Sequence, residues 1–201
     1  ASFAKGCVSR EEALAYYGFD ASLPVLLVVG GSLGTRTLNN MMRSWIMTLG
    51  GEAPVQVIWQ TGRFYEAEMQ QFLTNYPTKG IWQGAFIDRM DYAYAVADVV
   101  ISRSGACTVS ELCLAGKPTL FVPSPNVSED HQTKNAMALV EKGAAEIVRD
   151  SEVVARGMAE AVALATDEER LERLAANIAK LAISDSAARV VEVIDEELKR
   201  A

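Results

Sequence analysis

Four segments carry the residue types that can do chemistry. The first, Gly30-Gly31-Ser32-Leu33-Gly34, joins a short apolar run to a helix-period segment. Glycines there let backbone amides approach an anion, the Ser32 hydroxyl can donate, and a helix beginning near Thr35 turns its positive end to the same place. Phosphate binding is the functional reading. A tight turn without a ligand is the alternative.

The second segment runs Ser102-Arg103-Ser104-Gly105-Ala106-Cys107-Thr108-Val109-Ser110-Glu111. Its small residues leave another helix start open, with amides and the Thr108 hydroxyl as donors to a second phosphate. Glu111 is expected in about the first turn, either facing the helix dipole or accepting from two ribose hydroxyls. The third segment, Pro123 to Gln132, is stiffened by two prolines and holds the sole histidine, His131. A lone histidine is solvated or structural in one reading and a general base in the other. Gln132 and Asn135 suit a polyhydroxyl ligand through amide donors and acceptors, and equally suit a helix cap. The fourth, Phe86-Ile87-Asp88-Arg89-Met90, offers an apolar wall and backbone groups to a flat base, or simply core packing. Met90, Tyr92 and Tyr94 carry the same packing alternative.

These segments need elements to hold them. Continuous apolar runs at 24–29, 55–59, 80–86, 98–102, 118–122 and, more weakly, 145–148 read as strands buried on both faces. Helix-period stretches lie between them, near 35–49, 63–74, 89–96, 106–115 and 129–142. The alternation predicts a parallel α/β sheet with right-handed crossovers. In such sheets ligands bind beyond the carboxyl ends of the strands, where all four segments fall. Ala-, Glu-, Leu- and Arg-rich stretches at 151–165, 167–182 and 186–200 predict three terminal helices. Ser9-Arg10-Glu11-Glu12 reads as a capping box one residue short, opening a helix through Tyr17. One domain over 1–201 is the simplest parse.

Composition excludes other classes. The chain has 201 residues, 19 basic against 26 acidic, a net charge of −7, with 50% hydrophobic residues. It is long enough to bury a substantial core, and disorder is ruled out. No electrostatic reason to bind nucleic acid exists overall. Cys7, Cys107 and Cys113 form neither a disulfide framework nor a zinc ribbon, which fits a reducing cytosol, and Cys107 and Cys113 are expected as buried small apolar residues. The sequence shows no membrane span and no secretion signal. Gln60-Thr61-Gly62 ends the second strand without the acid an NAD site wants, and the first loop matches neither standard nucleotide motif. No loop offers a DxD-like acidic pair, so neither a metal nor another cofactor is expected.

In order, the strings GGSLGTRTLN, FIDRM, AYAVADVVISRSGACTVSEL, GKPTLFVPSP and HQTKNAMAL resemble the C-terminal half of the MurG family. Its members are bacterial peptidoglycan N-acetylglucosaminyltransferases of the two-domain GT-B fold, and the likeness covers nearly the whole chain. The resemblance implies a Rossmann-like domain that binds UDP-N-acetylglucosamine. An N-terminal domain, absent from this sequence, would bind the lipid-linked muramoyl-pentapeptide and supply the catalytic base.

Carried over by residue, Gly30, Gly31, Ser32 and Gly34, with Ala106, Cys107 and Thr108, would meet the diphosphate. Ile87 would present its backbone to uracil, Met90 would line that pocket, Glu111 would hold the ribose hydroxyls, and His131 and Gln132 would reach the sugar. Leu33 and His131 depart from the family pattern, standing where some members carry glutamine. The stretch joining the two halves would lie just before Ala1. The resemblance further implies inverting, metal-independent transfer on the cytoplasmic side of the bacterial inner membrane. Alternatives are a donor-binding subunit of a split glycosyltransferase, a related GT-B enzyme of UDP-sugars such as an epimerase or a glycolipid synthase, and an NAD enzyme.

Overall fold

The computed structural model describes residues 8–31, 33–126 and 130–183. Helix α1 (Arg10–Tyr17) precedes strand β1 (Val25–Val29). Then follow α2 (Arg36–Ile46), β2 (Gln56–Gln60), α3 (Glu66–Asn75), β3 (Ile81–Gly84), α4 (Met90–Val96), β4 (Val99–Ser102) and α5 (Ala106–Ala115). The chain continues through β5 (Thr119–Phe121), α6 (His131–Val140), β6 (Glu146–Ile147), α7 (Val153–Ala165) and α8 (Glu168–Ala179). The first two terminal helices are thus in place. The expected third, 186–200, lies outside the described residues.

The strands form one parallel six-stranded sheet in the order β3-β2-β1-β4-β5-β6. Chain direction across the sheet reverses between β1 and β4, so the helices that follow these two strands leave toward opposite faces and a crevice opens between them. Period-two alternation divides the apolar runs. Leu26, Val28, Val57, Trp59, Val99 and Ile101 pack with α2, α3 and α7, whereas Val25, Leu27, Ile58 and Val100 pack with α1, α4 and α5. Leu174 and Ile178 of α8 join opposite layers, so that helix closes an end of the sheet. Burying both faces explains why these strands read as unbroken hydrophobic runs.

Helix α1 starts with a full capping box. The Ser9 hydroxyl accepts from the Glu12 amide at 3.1 Å while the Glu12 carboxylate accepts from the Ser9 amide at 3.0 Å. Ser9 is the N-cap and Glu12 the third helical residue, so the spacing is complete rather than one residue short. Arg10 then grips Asp98 through two hydrogen bonds of 2.9 Å, and Asp98 Oδ2 accepts from the Val25 amide at 2.8 Å. These contacts tie α1 to the amino ends of β1 and β4, away from the ligand end of the sheet.

Strand β2 begins and ends on buried glutamines with different fates. Gln56 exchanges hydrogen bonds with the Asp20 backbone, accepting at 2.6 Å and donating at 2.8 Å. Gln60 is also buried, but its Oε1 has no partner among the described residues. An unpartnered buried amide oxygen costs desolvation that an apolar side chain of similar shape avoids. Gln60→Met is therefore expected to leave stability unchanged or to raise it by up to about 1 kcal/mol, read from a denaturant midpoint. A clear fall would show that the amide finds a partner in solution.

Candidate functional site

The loop after β1 is folded back on itself. Thr35 Oγ1 donates to the Gly30 carbonyl at 2.8 Å and the Gly34 amide donates to the Gly31 carbonyl at 2.9 Å. Because the Thr35 hydroxyl points back into the loop, the first amides of α2 have no side-chain cap. Gly31 and Gly34 both hold positive φ, 83° and 82°, and space above Gly31 is open. Ser32 lies outside the described residues. Asn39 braces the neighbouring loop, donating to the Thr61 carbonyl at 3.0 Å and accepting from the Trp59 indole at 2.9 Å.

Across the crevice, Gly105 is the N-cap of α5 and again offers no side-chain cap, so the amides of Ala106, Cys107 and Thr108 end the helix uncapped. Gly105 has φ −65° and ψ 149°, a conformation any residue adopts, and a Cβ built on it would meet nothing within 4 Å. Packing within the described residues does not require glycine there. Close approach of a ligand would.

Cys107 corrects an expectation: it is exposed, whereas Cys113 is buried. Six residues on a helix turn the side chain through about 600°, so the two thiols cannot share one face. Burial also pushes the Cys113 thiol pKa up. Cys7 lies outside the described residues.

Glu111 sits in the second turn of α5, beyond the first turn where the dipole would hold it most strongly. Its neighbour is the buried Tyr94 of α4. Burial first, and then the Glu111 carboxylate that its hydroxyl bonds, push the Tyr94 phenol well above its usual range. Tyr94 is therefore more than packing. Nothing in the spacing of Tyr94 and Glu111 along the chain announces that contact.

At the start of α6 the side chains are already engaged. Gln132 Oε1 accepts from the Ser124 amide at 2.9 Å, and its carbonyl accepts from Ser104 Oγ at 2.8 Å. Asn135 donates to the Ser104 carbonyl at 3.0 Å, so its polar end stitches α6 to the β4–α5 loop. The Gln132 Nε2 donors have no partner among the described residues. His131, the first residue of α6, is exposed. Residues 127–129 lie outside the described set.

On the other flank, Ile87 is buried in the core beside α4, with Met90 half-buried at the start of that helix. Phe86 is 59% exposed, so only Ile87 of that pair follows the packing alternative. The carboxyl end of the sheet thus brings together the loops that hold Gly30, Gly31, Gly34, Ile87, Met90, Ala106, Cys107, Thr108, Glu111, His131 and Gln132. Among the described residues, no group of three or more His, Cys, Asp or Glu side chains could hold a metal ion.

A doubly wound parallel sheet with two uncapped helix starts flanking its switch point, and a carboxylate one turn beyond, defines an open α/β domain of the kind that takes its ligands at the carboxyl end of the sheet. Residues 25–190 match the glycosyltransferase family 28 C-terminal domain, and the chain belongs to that family.

Over 185 residues the chain is 49% identical to a UDP-N-acetylglucosamine–N-acetylmuramyl-(pentapeptide) pyrophosphoryl-undecaprenol N-acetylglucosamine transferase of Parabacteroides distasonis, covering 92% of this chain and 50% of that protein. A Porphyromonas gingivalis protein of the same name is 46% identical over 192 residues, with 94% of this chain and 50% of its own length covered. The chain spans about half the length of these curated relatives. Among solved structures, Acinetobacter baumannii MurG superposes with a TM-score of 0.75 at 29% identity, covering 95% of this chain and 54% of that one. Anabaena HepE, solved with UDP and glucose, shares the fold with a TM-score of 0.70 at 15% identity, covering 100% of this chain and 54% of its own.

Proposed function

We propose that this chain is the UDP-N-acetylglucosamine-binding half of an inverting glycosyltransferase of peptidoglycan synthesis, and that residues 1–201 form one donor-nucleotide-binding unit. The observation that carries the reading is the pair of uncapped helix N-termini, α2 and α5, that follow the two strands of the β1/β4 switch point. A diphosphate between them would be held by amides from the Gly30 to Gly34 loop, by Ser32, and by Ala106, Cys107 and Thr108. Glu111 would accept from the ribose hydroxyls. Ile87 and Met90 would take uracil, and Gln132 and His131 the N-acetylglucosamine.

Transfer is attack by the 4-hydroxyl of the lipid-linked muramoyl-pentapeptide on the anomeric carbon. The C1–O bond to the β-phosphate breaks and its electron pair leaves with UDP. The two helix starts stabilise the charge that builds on UDP, an electrostatic role that needs no divalent ion. Acceptor binding, and the base that takes the proton of the attacking hydroxyl, belong to an N-terminal half, so residues 1–201 by themselves are expected to bind donor but to transfer little. The lipid acceptor places the enzyme peripherally on the cytoplasmic side of the inner membrane. Among the described residues no helix is long and apolar enough to cross a bilayer.

The exposed Cys107 thiol provides the test. Alkylation by iodoacetamide, followed residue by residue by mass spectrometry, is expected to slow at Cys107 by roughly tenfold or more when UDP fills most sites, since only unliganded chains react. Uridine, which lacks phosphates, is expected to protect much less. Equal reactivity with and without saturating UDP would remove the α5 start from the site.

A further inference from the structure

Arg103 follows β4 and heads the β4–α5 loop, yet its side chain crosses to other segments. Its Nη1 donates to the Val122 carbonyl at 2.8 Å and the Pro123 carbonyl at 3.1 Å. The same nitrogen lies 2.6 Å from Asp150 Oδ1, an ion contact without hydrogen-bond alignment. Asp150 Oδ2 accepts from Thr37 Oγ1 at 3.2 Å, although the two residues are 113 apart in the chain. Both charged side chains are largely buried, at 15% and 19% exposure. One ion pair therefore joins four segments at the ligand end of the sheet. They are the first turn of α2, the β4–α5 loop, the end of β5 and the β6–α7 connection.

Stability alone is a poor reason for such a pair. Desolvating two charges offsets most of their attraction, and well-packed apolar residues often replace a buried pair without loss. The pair does set geometry, because each member holds a different helix start. Thr37 belongs to the first turn of α2, and Arg103 stands three residues before the first residue of α5. The two N-termini can serve one diphosphate only at a particular separation and tilt, since the field of a helix end fades within its first turn.

We infer that Arg103 and Asp150 are positioning residues for the donor diphosphate. Their ion pair, with Thr37, locks the α2 and α5 N-termini at the spacing at which both address the same pyrophosphate. The inference rests on the nucleotide reading above. It assigns no ligand contact to either residue.

The test compares UDP with uridine on the intact chain, by calorimetry and by ligand-observed NMR for the weaker ligand. Asp150→Asn keeps the side-chain shape and removes the charge. It is expected to weaken UDP roughly tenfold while uridine stays within about twofold, a loss of the size that a helix end contributes to anion binding. Arg103→Met and Thr37→Val are expected to shift the UDP-to-uridine ratio in the same direction, Thr37→Val least. If Arg103→Met does not fold, the other two variants decide. A general structural role would weaken both ligands in parallel. That result, or unchanged UDP affinity in folded Asp150→Asn, overturns the inference. Failure of the nucleotide reading is distinct, since the unsubstituted chain would then bind neither ligand and no positioning role would remain.

Discussion

Gly62→Ala is expected to destabilise the chain by about 2 to 5 kcal/mol, combining the cost of a left-handed L-residue with that of overpacking. Gly62 follows β2 and holds φ +79°, and Gly34 in the β1–α2 loop holds φ +82°. The two glycines interlock. A Cβ on Gly62 would run into the backbone of Gly34 and Leu33, and a Cβ on Gly34 would run into the carbonyl of Thr61. Since every close atom but one tyrosine carbon belongs to backbone, no side chain can turn aside to make room.

The added methyl must push the two loops apart, and the loop that moves is the one assigned to the diphosphate. UDP binding is expected to fall with stability, although Gly62 itself is given no ligand contact. A urea titration measures the first effect, and calorimetry on whatever fraction stays folded measures the second. A midpoint that implies a loss under about 1 kcal/mol would show that the loops separate freely and that the interlock holds nothing in place.

Glu111→Ala is expected to weaken UDP by roughly 1.5 to 3 kcal/mol, the range for hydrogen bonds to a charged group. The carboxylate accepts from the buried Tyr94 hydroxyl on the protein side, and its remaining lone pairs are the ones that the proposed ribose contact would use. Alanine removes both contacts and strands a buried phenol, so some thermal destabilisation accompanies the affinity loss. Comparing UDP with 2′,3′-dideoxy-UDP separates the two effects. The wild-type chain is expected to prefer UDP, and Glu111→Ala is expected to erase that preference. Persistence of the preference in the mutant would assign the ribose hydroxyls to some other group.

Much of the ligand end could be anticipated from local chemistry. Gly30 to Gly34 announces a strand-to-helix turn because glycines accept positive φ, and Gly105 through Thr108 announces an open helix start because its residues are small. Local reading misplaced what depends on helix phase. The small apolar character of Cys107 points inside, but the residue lies on a side of α5 that faces out, and Glu111 falls in the second turn, just beyond the stretch where its position in the segment puts it. It also could not tell that Gln132 would commit Oε1 to the Ser124 amide.

Apolar runs and helical periods by themselves determined the alternating elements, a parallel sheet whose inner strands are buried on both faces while the edge strands β3 and β6 are half-buried, and the end of such a sheet where ligands gather. Those features follow from short-range rules of period two and 3.6 and from turn chemistry. Only the tertiary structure decided that Tyr94 meets Glu111, that Gly34 locks against Gly62, and that Arg103, Asp150 and Thr37 form one network. Each of these joins segments that become neighbours only through the order of strands across the sheet. Spacing along the chain carries no record of that order.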